Sequence, residues 1–206
     1  LFAERMRRMF GMLKTLLHET NENEFNKLFS RIEKYENISD SMELEIANYL
    51  NKVSEGRLSS ESKLEIRGML REVTEIESIG DSCYNLARTI NRKRSGGNDF
   101  TEKQYEHIHQ MMQLTDDALA QMIAVVEDEH HAVDVNKSFN IENEMNNYRA
   151  QLKNQNVVDV NNKEYDYQMG VHYMDIIGEC EKLGDYVVNV VEARTNVKEK
   201  KVGDNR

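Results

Sequence analysis

Glu77-Ser78-Ile79-Gly80-Asp81 and Glu181-Lys182-Leu183-Gly184-Asp185 are the two stretches that decide the fold. They lie 104 residues apart, and the same offset places Glu75 on Glu179, Asn85 on Asn189 and Ile79 on Leu183. Identities at Glu75, Glu77, Gly80, Asp81 and Asn85 crowd one short window, which points to duplication. The chain therefore reads as two copies of one unit, related by a pseudo-twofold axis.

Working outward from these strings, each copy resolves into three helices. A stripe with alternating steps of three and four runs Phe25, Leu28, Ile32, Tyr35, Ser39, Met42, Ile46, Tyr49, Val53. That period belongs to one face of a helix. Gly56 supplies a stop, and Ser59 or Ser60 a cap for the next helix. There the stripe is Ile66, Met69, Val73, Ile76, Gly80, Cys83, Ala87, Ile90, closed by Arg92-Lys93-Arg94. Ser95-Gly96-Gly97-Asn98 is the strongest break in the chain. Beyond it come stripes at Tyr105–Val126, Ile141–Leu152 and Tyr173–Val191, with a loop expected around Asn154–Asn162 between the last two. An amphipathic opening over Phe2–Thr20 completes six helices. The expectation is an all-α fold of two tandem three-helix bundles, over 1–97 and 98–206. Long helices on short connections pack as antiparallel bundles.

Composition agrees. There is no proline among 206 residues, although average usage would give roughly ten. The net charge of −10 disfavours nucleic acid, whose phosphates call for clustered Lys and Arg. Cys83 and Cys180 fit no ligand or disulfide spacing and read as buried thiols in a reducing compartment. No apolar run is long enough to span a bilayer, and no signal peptide is visible. The first residue is Leu, and Arg5, Arg7, Arg8 and Lys14 make the opening basic. Such a start fits a segment just inside a membrane, or simply a helix with a charged face.

The repeated acids carry the chemistry. Glu77 and Asp81 sit at i and i+4, so their carboxylates share a face. Like charges at that spacing cost a few tenths of a kcal/mol, and a helical glycine costs about 1 kcal/mol against alanine. Both penalties recur at Glu181, Gly184 and Asp185. Close helix packing accounts for the glycines but not for the acids. Glu33, Glu36, Asp40 and Glu43 each follow a core position by one residue, as Glu77 and Asp81 do. Facing edges would bring up to six carboxylates together. An oxygen-only cluster favours hard cations such as Mg²⁺, Ca²⁺, Mn²⁺ or Fe³⁺. The alternative is a solvated acidic rim without a specific ion. In the second half Glu142 matches Glu43, but Phe139 stands in the place of Asp40. The second site is thus expected to be the weaker one.

Rival chemistries fare worse. Glu106-x-x-His109 and Glu127-x-x-His130 have di-iron spacing but lie on one predicted helix, roughly 30 Å apart. His130 and His131 read as a polar helix end. There is no phosphate-binding glycine loop, and no nucleophile with a base beside it.

Glu-Ser-Ile-Gly-Asp-Ser-Cys-Tyr-Asn at 77–85 and Glu-Lys-Leu-Gly-Asp-Tyr-Val-Val-Asn at 181–189 resemble the repeated Glu-x-x-x-Asp signature of the PhoU family. Ser39-Asp40-Ser41-Met42-Glu43-Leu44-Glu45-Ile46 resembles that family's second-helix motif. The resemblance covers nearly the whole chain. It implies a non-catalytic regulator of bacterial phosphate uptake. It also implies Glu77, Asp81, Glu181 and Asp185 as metal ligands, supported by Asp40, Glu43 and Glu142. The ions implied are divalent or trivalent: iron, or Mg, Mn, Zn or Ca. The partner implied is a membrane-embedded phosphate transporter, in the same chain or a separate one, and a homo-oligomer is compatible. The string from His172 to Ala193 is more similar to the transporter-attached kind. With the basic opening and the absent initial Met, it gives the expectation of a cytoplasmic domain of a Na⁺/phosphate cotransporter, at the inner face of the membrane. A free-standing PhoU acting on a transporter and a sensor kinase is the alternative. A carboxylate-bridged helical-bundle enzyme is the reading from another class.

Overall fold

The computed structural model describes residues 1–130 and 132–203. Its elements are α1 (Phe2–His18), α2 (Glu22–Ser54), α3 (Ser60–Ser95), α4 (Glu102–Glu127), α5 (Asn136–Asn161) and α6 (Tyr167–Gly203). No described residue is in a strand. Local chemistry sets the boundaries. Asn21 caps α2 by accepting from the Glu24 amide at 3.1 Å, and Ser59 caps α3 through the Ser62 amide at 3.1 Å. Thr101 and Gln104 close a reciprocal capping box on α4. At the other end of α3, Arg94 donates to the Glu19 and Thr20 carbonyls at 2.6 and 2.9 Å. It thereby satisfies acceptors left open past the end of α1.

Helices α1, α2 and α3 pack on one another, as do α4, α5 and α6. The two sets join chiefly along α3 against α6, and also through α1 against α4. One continuous apolar core runs through both, centred on residues such as Met6, Phe10, Ile79, Leu86, Met111, Leu119, Ile177 and Leu183. Cys83 and Cys180 are free and buried; burial pushes both thiols up, Cys180 to about 12. Thiols held in that state are poor nucleophiles.

Two expectations fail in instructive ways. No loop separates the last two helices at Asn154–Asn162; α5 runs on to Asn161, and the turn follows it. Each helical Asn costs only about 0.7 kcal/mol. That is offset by packing onto α6, where Asn156 and Val160 approach to 3.0 Å of the position a Gly170 Cβ would take. Tyr165 also donates to the Asn156 carbonyl oxygen at 2.6 Å. Lys163, at φ 60°, turns the chain. Second, the α2 stripe is only partly a core stripe. Phe25, Ile32 and Ser39 are buried, yet Tyr49 is 67% exposed. The 17-residue α1 is about half the length of α2 and α3, so the far ends of those helices lack a third partner. The single polar residue in that stripe, Ser39, donates to the Tyr35 carbonyl at 2.7 Å and so fits the core.

The basic opening is committed within the fold. Arg7 and Lys14 both pair with Asp116 of α4, and Arg5 stacks over the Tyr35 ring at 4.0 Å. Among the described residues, no helix is long and apolar enough to cross a membrane.

Candidate metal centre

Along α2, Glu33, Glu36, Asp40 and Glu43 line the edge beside α3, and Glu77 and Asp81 face them from α3. Glu36, Asp40 and Asp81 each offer a carboxylate oxygen within 4.8 Å of the others. Glu77 lies against Asp40 and Asp81 and shares hydrogen bonds with both. Burial, then this sharing, then the charges of Asp81 and Glu43 push the Glu77 carboxyl up to about 9. Glu36 is raised as well, first by burial and then by Asp40 and Asp81. Tyr84 donates to Glu33 at 3.1 Å, and Thr74 to Glu43 at 3.5 Å. Among the described residues, none of these six acids forms an ion pair with Lys, Arg or His. Converging carboxylates with only neutral donors beside them keep their repulsion until a cation or protons relieve it. The donor set is all oxygen, which fits a hard cation.

The glycines explain how the acids come so close to the core. A Cβ on Gly80 would meet Met6 Sδ at 3.2 Å, and one on Gly184 would meet Met145 Sδ and Cε at 3.0 Å. Close packing, expected from the stripe, is thus what both glycines provide. It seats α3 and α6 tightly beneath their own Glu-x-x-x-Asp pairs.

The second copy is built differently. Glu142 of α5 faces Glu181 and Asp185 of α6; burial and then these two acids push Asp185 up to about 6. Arg149 opposes that rise, its Nε 3.8 Å from Glu181. Asn146 donates to Glu142, and Phe139 leaves no counterpart to Asp40. Three acids with a resident guanidinium replace six without one.

The seven acids singled out from the sequence therefore fall into two groups: Asp40, Glu43, Glu77 and Asp81 at the first edge, Glu142, Glu181 and Asp185 at the second. Glu36 belongs with the first, and its signal in the sequence is the i, i+4 relation to Asp40. The remaining repeated residues do other work. Asn189 donates to Glu75 at 3.1 Å and Asn85 to Glu179 at 3.5 Å, a reciprocal pair of bonds across the pseudo-twofold axis. Their recurrence in the sequence marks the joint between repeats, not a ligand set. The histidine motifs find no shared metal. His109 faces His18 of α1, His130 lies past the end of α4, and His131 lies outside the described residues.

Comparison with known proteins bears on the family and the fold. The PhoU domain matches residues 2–90 and again 108–193. The fold is similar to the phosphate transport system regulatory protein PhoU from Streptococcus pneumoniae, with TM-score 0.75, 15% identity, and coverage of 96% of this chain and 91% of that one. It is also similar to PhoU from Pseudomonas aeruginosa, with TM-score 0.81, 11% identity, and coverage of 97% and 92%. No curated protein sequence matches the chain. Two successive PhoU domain matches over most of the chain, on two three-helix repeats, make this protein a member of the PhoU domain family.

Proposed function

We propose that this chain is a non-catalytic regulator of phosphate transport whose α2/α3 edge holds a hard cation. The observation that carries the metal reading is the convergence of Glu36, Asp40, Glu77 and Asp81 without a cationic side chain. The family match and the name of the Streptococcus pneumoniae relative support the regulatory role. A membrane-embedded phosphate transporter is then the partner, met from the cytoplasmic side. Glu77, Asp81, Asp40 and Glu43 are the ligand candidates of the first repeat, 1–97, with Glu36 added. Glu181, Asp185 and Glu142 are those of the second, 98–206.

Between the two forms of the family, the free-standing regulator is better supported than the cotransporter domain. The solved relatives are PhoU proteins that this chain covers over nine-tenths of their length. The basic residues that suggested a membrane-proximal opening are largely engaged with Asp116 and Tyr35. The oxidase reading has no paired Glu-x-x-His across facing helices to support it.

Elemental analysis tests the site. Wild type is expected to retain Mg, Mn, Ca or Fe, and Glu77→Ala with Asp81→Ala to lose it from the first half with helix content unchanged. Equal metal in both proteins defeats the assignment. The role is tested by phosphate uptake in host cells lacking the gene. Uptake is expected to lose its response to external phosphate and to regain it on complementation; an unchanged response defeats it. Oxygen turnover by the iron-loaded protein would replace the regulatory reading with the enzymatic one.

A further inference from the structure

We propose that His18 and His109 form a second, chemically distinct metal site, for a nitrogen-preferring divalent cation such as Zn²⁺, Ni²⁺ or Cu²⁺, at the junction of the two repeats. His18 is the last residue of α1, and His109 lies two turns into α4. Their Nε2 atoms face each other at 2.5 Å, with ring centroids 4.7 Å apart and planes inclined by 49°. Two Nε2 atoms aimed at one another cannot both carry hydrogen, so at least one lone pair points into the gap. A hydrogen bond from one neutral ring to the other satisfies both, and so does a metal ion held between them.

The surroundings keep the imidazole neutral and open to a ligand role. Metal binding requires neutral imidazole. Burial, then His109, then Lys93 hold His18 below its ordinary value, with Asp99 opposing. Both histidines are exposed, so an ion has access. His18 borders a cleft of about 560 Å³ with Glu19, Lys93, Arg94, Asp99 and Tyr105, which leaves room for water ligands. The two cations there are already engaged: Lys93 by Asp99 and Tyr105, Arg94 by the Glu19 and Thr20 carbonyls. Nitrogens bound tetrahedrally at about 2.0–2.1 Å from zinc sit roughly 3.3 Å apart. The pair must therefore open by less than about 1 Å, a movement that a helix-terminal His18 can supply. Imidazole suits Zn, Ni and Cu, whereas the carboxylate edge suits Mg, Mn and Ca. The two sites should thus fill independently, and the histidine site would tie α1 of one repeat to α4 of the other.

Cu²⁺ is the probe, added to the full chain in excess Mg²⁺ so that the carboxylate edge is occupied. Electron paramagnetic resonance is expected to show one equivalent of copper with hyperfine coupling to two nitrogens. His18→Gln and His109→Gln are each expected to weaken copper and zinc binding ~10-fold or more, with unchanged helix content. Copper without nitrogen coupling in the wild type overturns the proposal, and that measurement needs no variant to fold. Binding unaltered in both variants overturns it too. So does ¹⁵N NMR in which the two imidazoles share a proton that Zn²⁺ does not displace.

Discussion

Glu77→Gln should reverse the sign of its effect on stability when metal is removed. Gln copies the shape of the protonated acid and cannot ionise. In the metal-free wild type, Glu77 is pushed from its ordinary value of 4.5 up to about 9. A carboxyl raised on folding binds its proton more tightly in the native state. It therefore stabilises the fold fully below about 4.5, and that contribution is lost as pH rises towards about 9. The side chain is only half-buried, so water screens much of the effect; by pH 8 the loss amounts to about 1–2 kcal/mol. For a chain of this size that is about 3–6 °C in Tm. After chelation, Glu77→Gln should melt about 3–6 °C above wild type at pH 8 and level with it at pH 4.5. In millimolar Mg²⁺ or Mn²⁺ the order should invert, because only the wild type then gains binding energy in the native state. Calorimetry at both pH values, with chelator and with metal, reads all four conditions. Wild-type stability that stays flat from pH 5 to 9 without metal, or a variant less stable than wild type under chelator at pH 8, refutes the reasoning.

Arg149→Gln should free Glu181 from its resident cation and raise the metal content of the second half, read by elemental analysis against wild type. Asn189→Ala should cost about 1–2 kcal/mol by leaving Glu75 without its partly buried donor, and Asn85→Ala less, since its bond to Glu179 is longer. Urea denaturation checks both, and equal losses would argue against the distance ranking. Gly80→Leu should destabilise by about 1–3 kcal/mol or more, because its side chain must displace Met6 from a fully buried place. Gly80→Ala should stay within about 1 kcal/mol of wild type, as the flexible end of Met6 yields while helix propensity improves.

What the sequence disclosed is what periodicity and repetition can encode. Thirty-odd residues in steps of three and four leave little choice but helix, and the repeated Glu-x-x-x-Asp string exposed the duplication behind the two three-helix sets. Polar composition misled at Asn154–Asn162, because contacts with Gly170 and Tyr165 outweigh a propensity of tenths of a kcal/mol per residue. The stripe in α2 could not reveal how much of it is covered, since that depends on the shorter length of α1. Arg149 was invisible as a counter-ion because nothing in the first repeat plays its part. His18 and His109 are 91 residues apart and share no motif, so only the packing of α1 on α4 brings them together.

The two copies now differ in a way that bears on control. Equal acidic edges would respond alike to a cation, but these two are not equal. The second edge has Phe139 where the first has Asp40, and it holds Arg149 beside Glu181. A guanidinium keeps its charge at any physiological pH, so Arg149 offsets part of the acidic charge of the second edge without a bound metal. The first edge has no such substitute, and its attraction between α2 and α3 depends on what the solution supplies. If the first edge holds the cation as proposed, metal dependence would be greater in the first repeat than in the second. Because α3 is bonded to α6 through Asn189 and Asn85, a change at the first edge acts directly on the helix that joins the two halves. On the proposed function, a regulator that reports a condition to a partner needs one responsive element set against a less responsive one, and this asymmetry offers both within a single chain.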